Sequence, residues 1–264
     1  MERIRLVVHG ATGRMGGEVL KAASREPDLE LVGAVCRQPQ GNTLALPDSS
    51  GAIPLSTDLE GLLEQTRPTV LVDFTSAEAC LAAARVALGR GVRLVTGTTG
   101  LGQAQLQELE QLASERGLGA IVAPNFALGA VLLLHLARLA APHFQYADIV
   151  EAHHEAKEDA PSGTALALAR AIAAEGRQFQ RNVPHREALP GTRGGDYQGV
   201  AIHSIRMPGR LAHHQVTFGI AGQTLSLQHD TVSRECYMPG VLLAIREVVQ
   251  LKGLVVGLEK LLGL

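Results

Sequence analysis

Val7-Val8-His9-Gly10-Ala11-Thr12-Gly13-Arg14-Met15-Gly16 is the stretch whose reading decides the fold. An apolar run, Ile4 to Val8, feeds a turn with three glycines at spacing three, and the helical stretch Met15 to Ser24 follows. Strand, glycine turn and helix in that order predict the opening of a dinucleotide-binding βαβ unit. In such a unit Gly10 permits the tight turn, Gly13 lets the backbone approach a pyrophosphate, and Gly16 lets the helix pack closely on the strand. The free N–H groups of the helix N-terminus then offer the phosphates a partial positive charge. Thr12 stands where the commonest form of this fingerprint has its middle glycine. A plain strand-to-helix turn would use the same residues, so the surroundings must decide.

The surroundings continue the pattern. Leu31 to Val35 reads as a second strand, Val70 to Phe74 as another, and an Ala-rich helix runs from about Ala77 to Leu88. Leu94 and Val95 lie in a strand, Gln103 to Arg116 in a helix, and Ala120 to Ala123 in a further strand. Short buried strands alternating with helices imply right-handed crossovers and a parallel sheet. The fold class is α/β, with an N-terminal Rossmann-like domain over residues 1–127. Beyond it the grammar changes. A helix, Leu128 to Ala141, leads to a strand, Asp148 to Ala152, then a charged loop and a helix from Thr164 to Ala174. Residues 177–197 read as a long loop, and Val200 to Arg206, Gln215 to Ile220 and Thr224 to His229 as successive strands. Alternation along Thr224-Leu225-Ser226-Leu227-Gln228 predicts a mostly open sheet with one face exposed. Residues 128–236 are therefore expected to form a second, α+β domain for substrate binding and oligomerisation. The last segment, Pro239 to Leu264, reads as helical, with 237–264 returning to the first domain.

Composition narrows the function classes. A formal net charge of -2 gives no broad positive field, so nucleic acid is not expected as a main partner. With no Trp, three Tyr and five Phe, the core must be aliphatic, which suits helices packed on a sheet. Cys36, Cys80 and Cys236 are scattered, which argues against a disulfide framework and for a reducing compartment. The opening MERIRLVVHG is too short an apolar run for a signal peptide, and no stretch reaches the roughly 18 apolar residues of a membrane span. A cytoplasmic protein with no membrane association is the expectation.

Cofactor contacts are expected at strand ends. Ala34-Val35-Cys36-Arg37 closes the second strand, where an NAD site would carry an acidic residue for the ribose 2′-OH. Arg37 suits a 2′-phosphate instead, so NADPH is expected over NADH, although an exposed arginine at a strand end is also common. Gly97-Thr98-Thr99-Gly100 and Pro124-Asn125-Phe126 follow later strands, as does Asp73-Phe74-Thr75. In an open parallel sheet all would face the crevice outside the carboxyl ends.

The chemistry is concentrated in Glu151-Ala152-His153-His154-Glu155-Ala156-Lys157-Glu158-Asp159-Ala160-Pro161-Ser162-Gly163-Thr164. Pro161 to Thr164 leads into a helix whose first N–H groups and hydroxyls can hold a carboxylate. Lys157 can pair with a carboxylate or deliver a proton, and His153 and His154 titrate near neutrality. Ser162 also reads as a helix N-cap, and the acidic residues as a charged loop around Lys157. A metal site from His153, His154 and Glu151 or Glu155 is disfavoured, because neighbours on a strand point to opposite faces.

Together these motifs resemble the dihydrodipicolinate reductase family. The block from Glu151 to Thr164 is similar to that family's signature, and Gly10 to Gly16, Asp73-Phe74-Thr75, Gly97 to Gly100 and Asn125-Phe126 follow in the family's order. The resemblance implies a nicotinamide-dependent reductase acting on a small cyclic imine dicarboxylate, 4-hydroxy-tetrahydrodipicolinate, on the diaminopimelate route to lysine. It implies a cofactor held by Gly10, Ala11, Thr12, Gly13, Arg14, Met15, Gly97, Thr98, Thr99, Pro124, Asn125, Phe126 and Ala127. His153 and Lys157 would be proton donors, His154, Gly163 and Thr164 would bind substrate carboxylate, and the assembly would be a homotetramer without a metal. Two positions depart from the family: Cys36 replaces an acidic residue found in many members, and Glu155 stands where relatives are often basic or polar. Two other readings remain: a related two-domain dehydrogenase of aspartate or homoserine type, and a non-catalytic NADPH-sensing module. The block of proton donors argues against both.

Overall fold

Strand β1 (Ile4–His9) buries both of its faces, with Leu6, Val7 and Val8 wholly without exposed surface, as a central parallel strand must. The computed structural model to which it belongs describes residues 3–175, 179 and 186–264. After β1 the chain forms α1 (Arg14–Ala23), β2 (Leu29–Val35), a hairpin of β3 (Thr43–Ala45) and β4 (Ala52–Ser56), and α2 (Leu59–Thr66). Then come β5 (Val70–Asp73), α3 (Ala77–Gly89), β6 (Arg93–Thr96), α4 (Gln103–Arg116) and β7 (Gly119–Val122). Asp58 starts α2 by accepting the Gly61 amide at 3.1 Å, and Gly117 ends α4 in the left-handed conformation. The alanines of α3, with Leu81 and Leu88, pack into the core between Leu71, Leu94 and Leu109.

The second stretch runs from α5 (Leu128–Ala140) to β8 (Tyr146–His153), α6 (Gly163–Ala174), β9 (Gly195–Tyr197), β10 (Val200–Arg206), β11 (Ala212–Ile220) and β12 (Gln223–Thr231). Its sheet has the order β12-β11-β8-β10-β9; β10 runs parallel to β8 and the other pairs are antiparallel. One face is covered by α5 and α6 through Leu133, Leu168, Ile172 and Phe218. Along β12 exposed and half-buried residues alternate, the open-faced pattern expected from the sequence.

The chain then forms α7 (Met238–Val248) and β13 (Gly253–Val256). β13 adds to the first sheet, whose order is β13-β7-β6-β5-β1-β2-β4-β3, parallel except for β3 against β4. Arg246 on α7 anchors this return by hydrogen bonds to Glu26 and Asp28, just before β2. The chain thus divides into two compact units, Met1–Leu128 with Arg234–Leu264, and Gly129–Ser233.

Two local expectations are corrected, and one unassigned stretch is filled. The segment 239–264 is not helical throughout: α7 ends at Val248, and Leu254-Val255-Val256 pairs with β7 instead. Gly253 takes a left-handed φ of +86° and turns the chain into that strand. Between β2 and β5, a stretch assigned no element from the sequence, the chain forms the β3–β4 hairpin and α2. The loop expected over 177–197 lies partly outside the described residues, and its last part, Gly195–Tyr197, pairs with β10 as a strand.

Candidate active site

At the carboxyl ends of the first sheet, His9, Asp73 and Thr96 are lateral neighbours on β1, β5 and β6. Asp73 has no exposed surface and gathers its surroundings. It accepts hydrogen bonds from the hydroxyls of Thr75 (2.7 Å), Thr96 (2.9 Å) and Thr98 (2.7 Å), and His9 Nδ1 lies 2.8 Å away. Burial alone would raise its carboxyl, but these hydrogen bonds hold it below the usual value. The Thr98 hydroxyl also accepts the Thr75 amide at 3.1 Å. Cys80 donates to Thr96, and burial pushes its thiol up to about 12, so it is no nucleophile.

The glycine turn is fastened to the same strand ends. The amides of Gly10 and Ala11 both donate to Val35 O, which closes β2 just before buried Cys36 and exposed Arg37. Gly10 has φ +80°, and a Cβ there would sit 2.7 Å from Phe74 O. Gly13 caps α1 without a side chain, so the first-turn amides have no acceptor from a cap. Thr12, Gly13 and Arg14 are exposed around those amides, and Ala11 and Met15 flank them, buried and half-buried. A side-chain-free helix start beside a strand end that carries an arginine fits a pyrophosphate and an adenosine phosphate. Thr99 and Pro124 are exposed and Gly97 half-buried. Thr98, Phe126 and Ala127 are buried, Asn125 Oδ1 accepts the Ala127 amide at 2.9 Å, and Phe126 packs on Phe74 at 5.9 Å.

The second cluster centres on Glu151, also without exposed surface. Period-two alternation puts Glu151 and His153 on one face of β8, and the register places Ser204 and Arg206 of β10 and His214 of β11 beside them. Glu151 Oε2 lies 2.5 Å from His153 Nδ1, and Arg206 grips both carboxylate oxygens at 3.0 and 2.8 Å. The Ser162 amide adds a bond at 3.2 Å. Burial favours protonation of Glu151, yet these donors, Arg206 foremost, hold it ionised below its ordinary range. His153 is pulled down, first by burial and further by Lys157 and Arg206, against the opposing pull of Glu151. With Nδ1–H directed at the carboxylate, Nε2 is left to exchange protons.

His154 lies beyond the strand, half-buried, and its carbonyl accepts the Lys157 amide at 3.1 Å. Lys157 Nζ pairs with Asp159 at 2.7 Å. Glu155 is exposed. Ser162 is indeed the N-cap of α6: its hydroxyl accepts the Ala165 amide at 3.2 Å and contacts His214 Nε2 at 3.1 Å. Gly163 and Thr164 occupy the first two helical positions, where amides are free to meet a carboxylate. Arg206 and His214 escaped the sequence reading, because only strand register brings them to Glu151.

Two family models cover the chain: dihydrodipicolinate reductase, N-terminus, matches residues 4–126, and dihydrodipicolinate reductase, C-terminus, matches residues 129–262. The chain belongs to the dihydrodipicolinate reductase family. Among its relatives, the 4-hydroxy-tetrahydrodipicolinate reductase of Dehalococcoides mccartyi is 51% identical over 100% of both chains. That of Bacillus subtilis is 43% identical over 99% of this chain and 98% of its own. The solved dipicolinate-bound dihydrodipicolinate reductase of Paenisporosarcina sp. TG-14 superposes with a TM-score of 0.88, at 40% identity, over 98% of this chain and 99% of that one. Family membership makes the chain an NAD(P)H-dependent oxidoreductase. No helix among the described residues is long and apolar enough to cross a membrane.

Proposed function

We propose that the protein reduces 4-hydroxy-tetrahydrodipicolinate to tetrahydrodipicolinate with loss of water, in the diaminopimelate branch of lysine biosynthesis, using NADPH in preference to NADH. The observation that carries the reading is the Glu151–His153 pair beside Lys157 and the Gly163 and Thr164 amides that open α6, proton donors next to an anion cradle. The cofactor supplies a hydride. Gly10 to Met15, Gly97 to Thr99 and Pro124 to Ala127 hold it, and Arg37 recognises the 2′-phosphate. Gly163 and Thr164 bind a substrate carboxylate through backbone amides and hydroxyl, with His154 beside them. His153, through Nε2, and Lys157 donate the proton that quenches the charge left by reduction. We also propose a cytoplasmic homotetramer assembled through the second unit, which its mostly open sheet would serve.

The test is oxidation of NADPH with substrate generated in place by a synthase from pyruvate and aspartate semialdehyde, repeated with NADH. Synthase-dependent turnover, faster with NADPH, is expected. NADPH binding without turnover would leave the sensing module as the better account, and turnover of aspartate semialdehyde alone would favour a dehydrogenase of another specificity.

A further inference from the structure

We propose that Arg206 is the positioning residue of this site: one guanidinium fixes the carboxylate that orients His153 and the backbone that carries Lys157. The inference rests on the proton-donor roles just given. The Arg206 side chain is 18% exposed, so most of its hydrogen bonding is spent inside the protein. Nη1 and Nη2 each take one oxygen of Glu151. Nη2 also donates to Asp159 O at 2.5 Å, Nε to Lys157 O at 3.3 Å, and Nη1 to Ile205 O at 2.7 Å. The carbonyls at both ends of the stretch 157–159 are thus tied to the guanidinium that clamps Glu151. Lys157 Nζ in turn pairs with Asp159, so the loop enters the site with its ammonium already placed.

No other side chain type does this. A carboxylate fork and three further carbonyls need donors diverging in one plane, which a guanidinium has and an ammonium lacks. The charge matters separately. His153 faces Glu151 on its own strand, Arg206 on β10, the His214 ring on β11 at 5.2 Å, and Lys157 with Asp159 in the following loop. Because Glu151 and His153 are hydrogen-bonded at 2.5 Å, their titrations are coupled. A fixed positive neighbour lowers the pH at which that pair loses its proton.

Geometry and charge are separated by three variants of the full-length protein. Arg206→Lys keeps the charge and loses the fork: kcat should fall about tenfold or more, with the alkaline limb of the pH profile unmoved. Arg206→Met loses both: the limb should move to higher pH by about one unit. Glu151→Gln removes the opposite charge and should move the limb to lower pH. NADPH affinity, read by reduced-nicotinamide fluorescence, should stay within about twofold of wild type in all three, the cofactor residues being in the other unit. Titration of the His153 ring by NMR should show the same opposed shifts without any turnover. A merely structural role moves neither the limb nor the ring titration in opposite directions for Arg206→Met and Glu151→Gln. If Arg206→Met does not fold, Arg206→Lys and Glu151→Gln carry the test. Wild-type turnover with unmoved titrations and near-wild-type kcat in the variants would overturn the proposal alone. An inactive wild type would instead overturn the function on which it rests.

Discussion

A side chain at Gly16 would put its first carbon 2.2 Å from the carbonyl oxygen of Gly10 and 2.7 Å from Ala11 Cα. Both obstacles are backbone, and that backbone is held to Val35 O by two amides, so it cannot step aside cheaply. Gly17, the next residue of α1, has nothing within 4 Å of its would-be Cβ. Adjacent glycines therefore have opposite expectations. Gly16→Ala should destabilise by about 1–3 kcal/mol through overpacking and weaken NADPH binding. Gly17→Ala should stabilise by about 0.5–1 kcal/mol, the helical advantage of alanine. Urea unfolding and cofactor titration of both variants check the pair; equal effects would refute the close approach of α1 to the turn.

The Asp73 carboxylate is a second fixed point, at the carboxyl ends of the first sheet. In Asp73→Asn, an amide nitrogen replacing Oδ2 would face the hydroxyls of Thr96 and Thr98, both now donors to that oxygen. A loss of about 1–3 kcal/mol is expected at neutral pH. The sign of the pH dependence follows from the depressed carboxyl. Its stabilisation is present above the unfolded value of 3.8 and is lost as pH falls through the lower folded value. The gap between wild type and variant should therefore narrow below pH 3.8, as measured by urea unfolding on both sides of it.

His214 also loses stability as pH falls, but from burial of a neutral ring rather than from hydrogen bonds to a charged carboxylate. Burial is the main cause of its fall from 6.5 to about 4, so the folded protein refuses a proton that the unfolded chain accepts. Stability is lost as pH drops from 6.5 towards 4, by on the order of 3 kcal/mol when the drop is complete. His214→Gln, whose amide can still reach the Ser162 hydroxyl, should flatten this part of the stability curve. An unchanged slope between those values would show that His214 is not the group responsible.

What was legible in the sequence divides along physical lines. The strands β1, β2, β5, β6 and β7 announce themselves because their central residues are apolar and buried on both faces. The β3–β4 hairpin does not: its residues are mostly exposed or half-buried, and Pro54 interrupts the second strand. β13 is the four residues Gly253–Val256, too short to show a period after a helix, and only pairing with β7 defines it. At the site, His153, Lys157 and the Ser162 cap could be read because they are contiguous. Arg206 lies 55 residues from Glu151, and the His214 ring 52 from Ser162, joined only by the register of β10 and β11 against β8. Register is set by the whole sheet, so no local motif carries it.

Arg37 is exposed at the end of β2, and among the described residues it has no ion-pair partner. A guanidinium left free beside the glycine turn suits a phosphate that the neighbouring turn does not itself grip. Arg37→Ala should weaken NADPH by about tenfold or more, the loss of a charge-assisted contact, and leave NADH nearly unchanged. Dissociation constants for both nucleotides decide it. An equal loss for each would assign Arg37 to the shared part of the cofactor, and Cys36 would then carry no message about 2′-phosphate preference.

The proton donors make the last prediction. His153→Ala and Lys157→Ala should each lower kcat by about 10²-fold, the usual worth of a positioned acid, with NADPH affinity little changed. The two should differ in pH dependence. His153 is held below 6.5 mainly by burial, so its protonated form is lost as pH rises through a value under 6.5. In the wild type kcat/KM, which reports the free enzyme, should fall on the alkaline side of that value, and His153→Ala should abolish that limb while Lys157→Ala keeps it. If the limb survives in His153→Ala, the titrating acid is another group. Lys157, fastened by Asp159 and through its carbonyl by Arg206, would then be left as the donor the geometry supports.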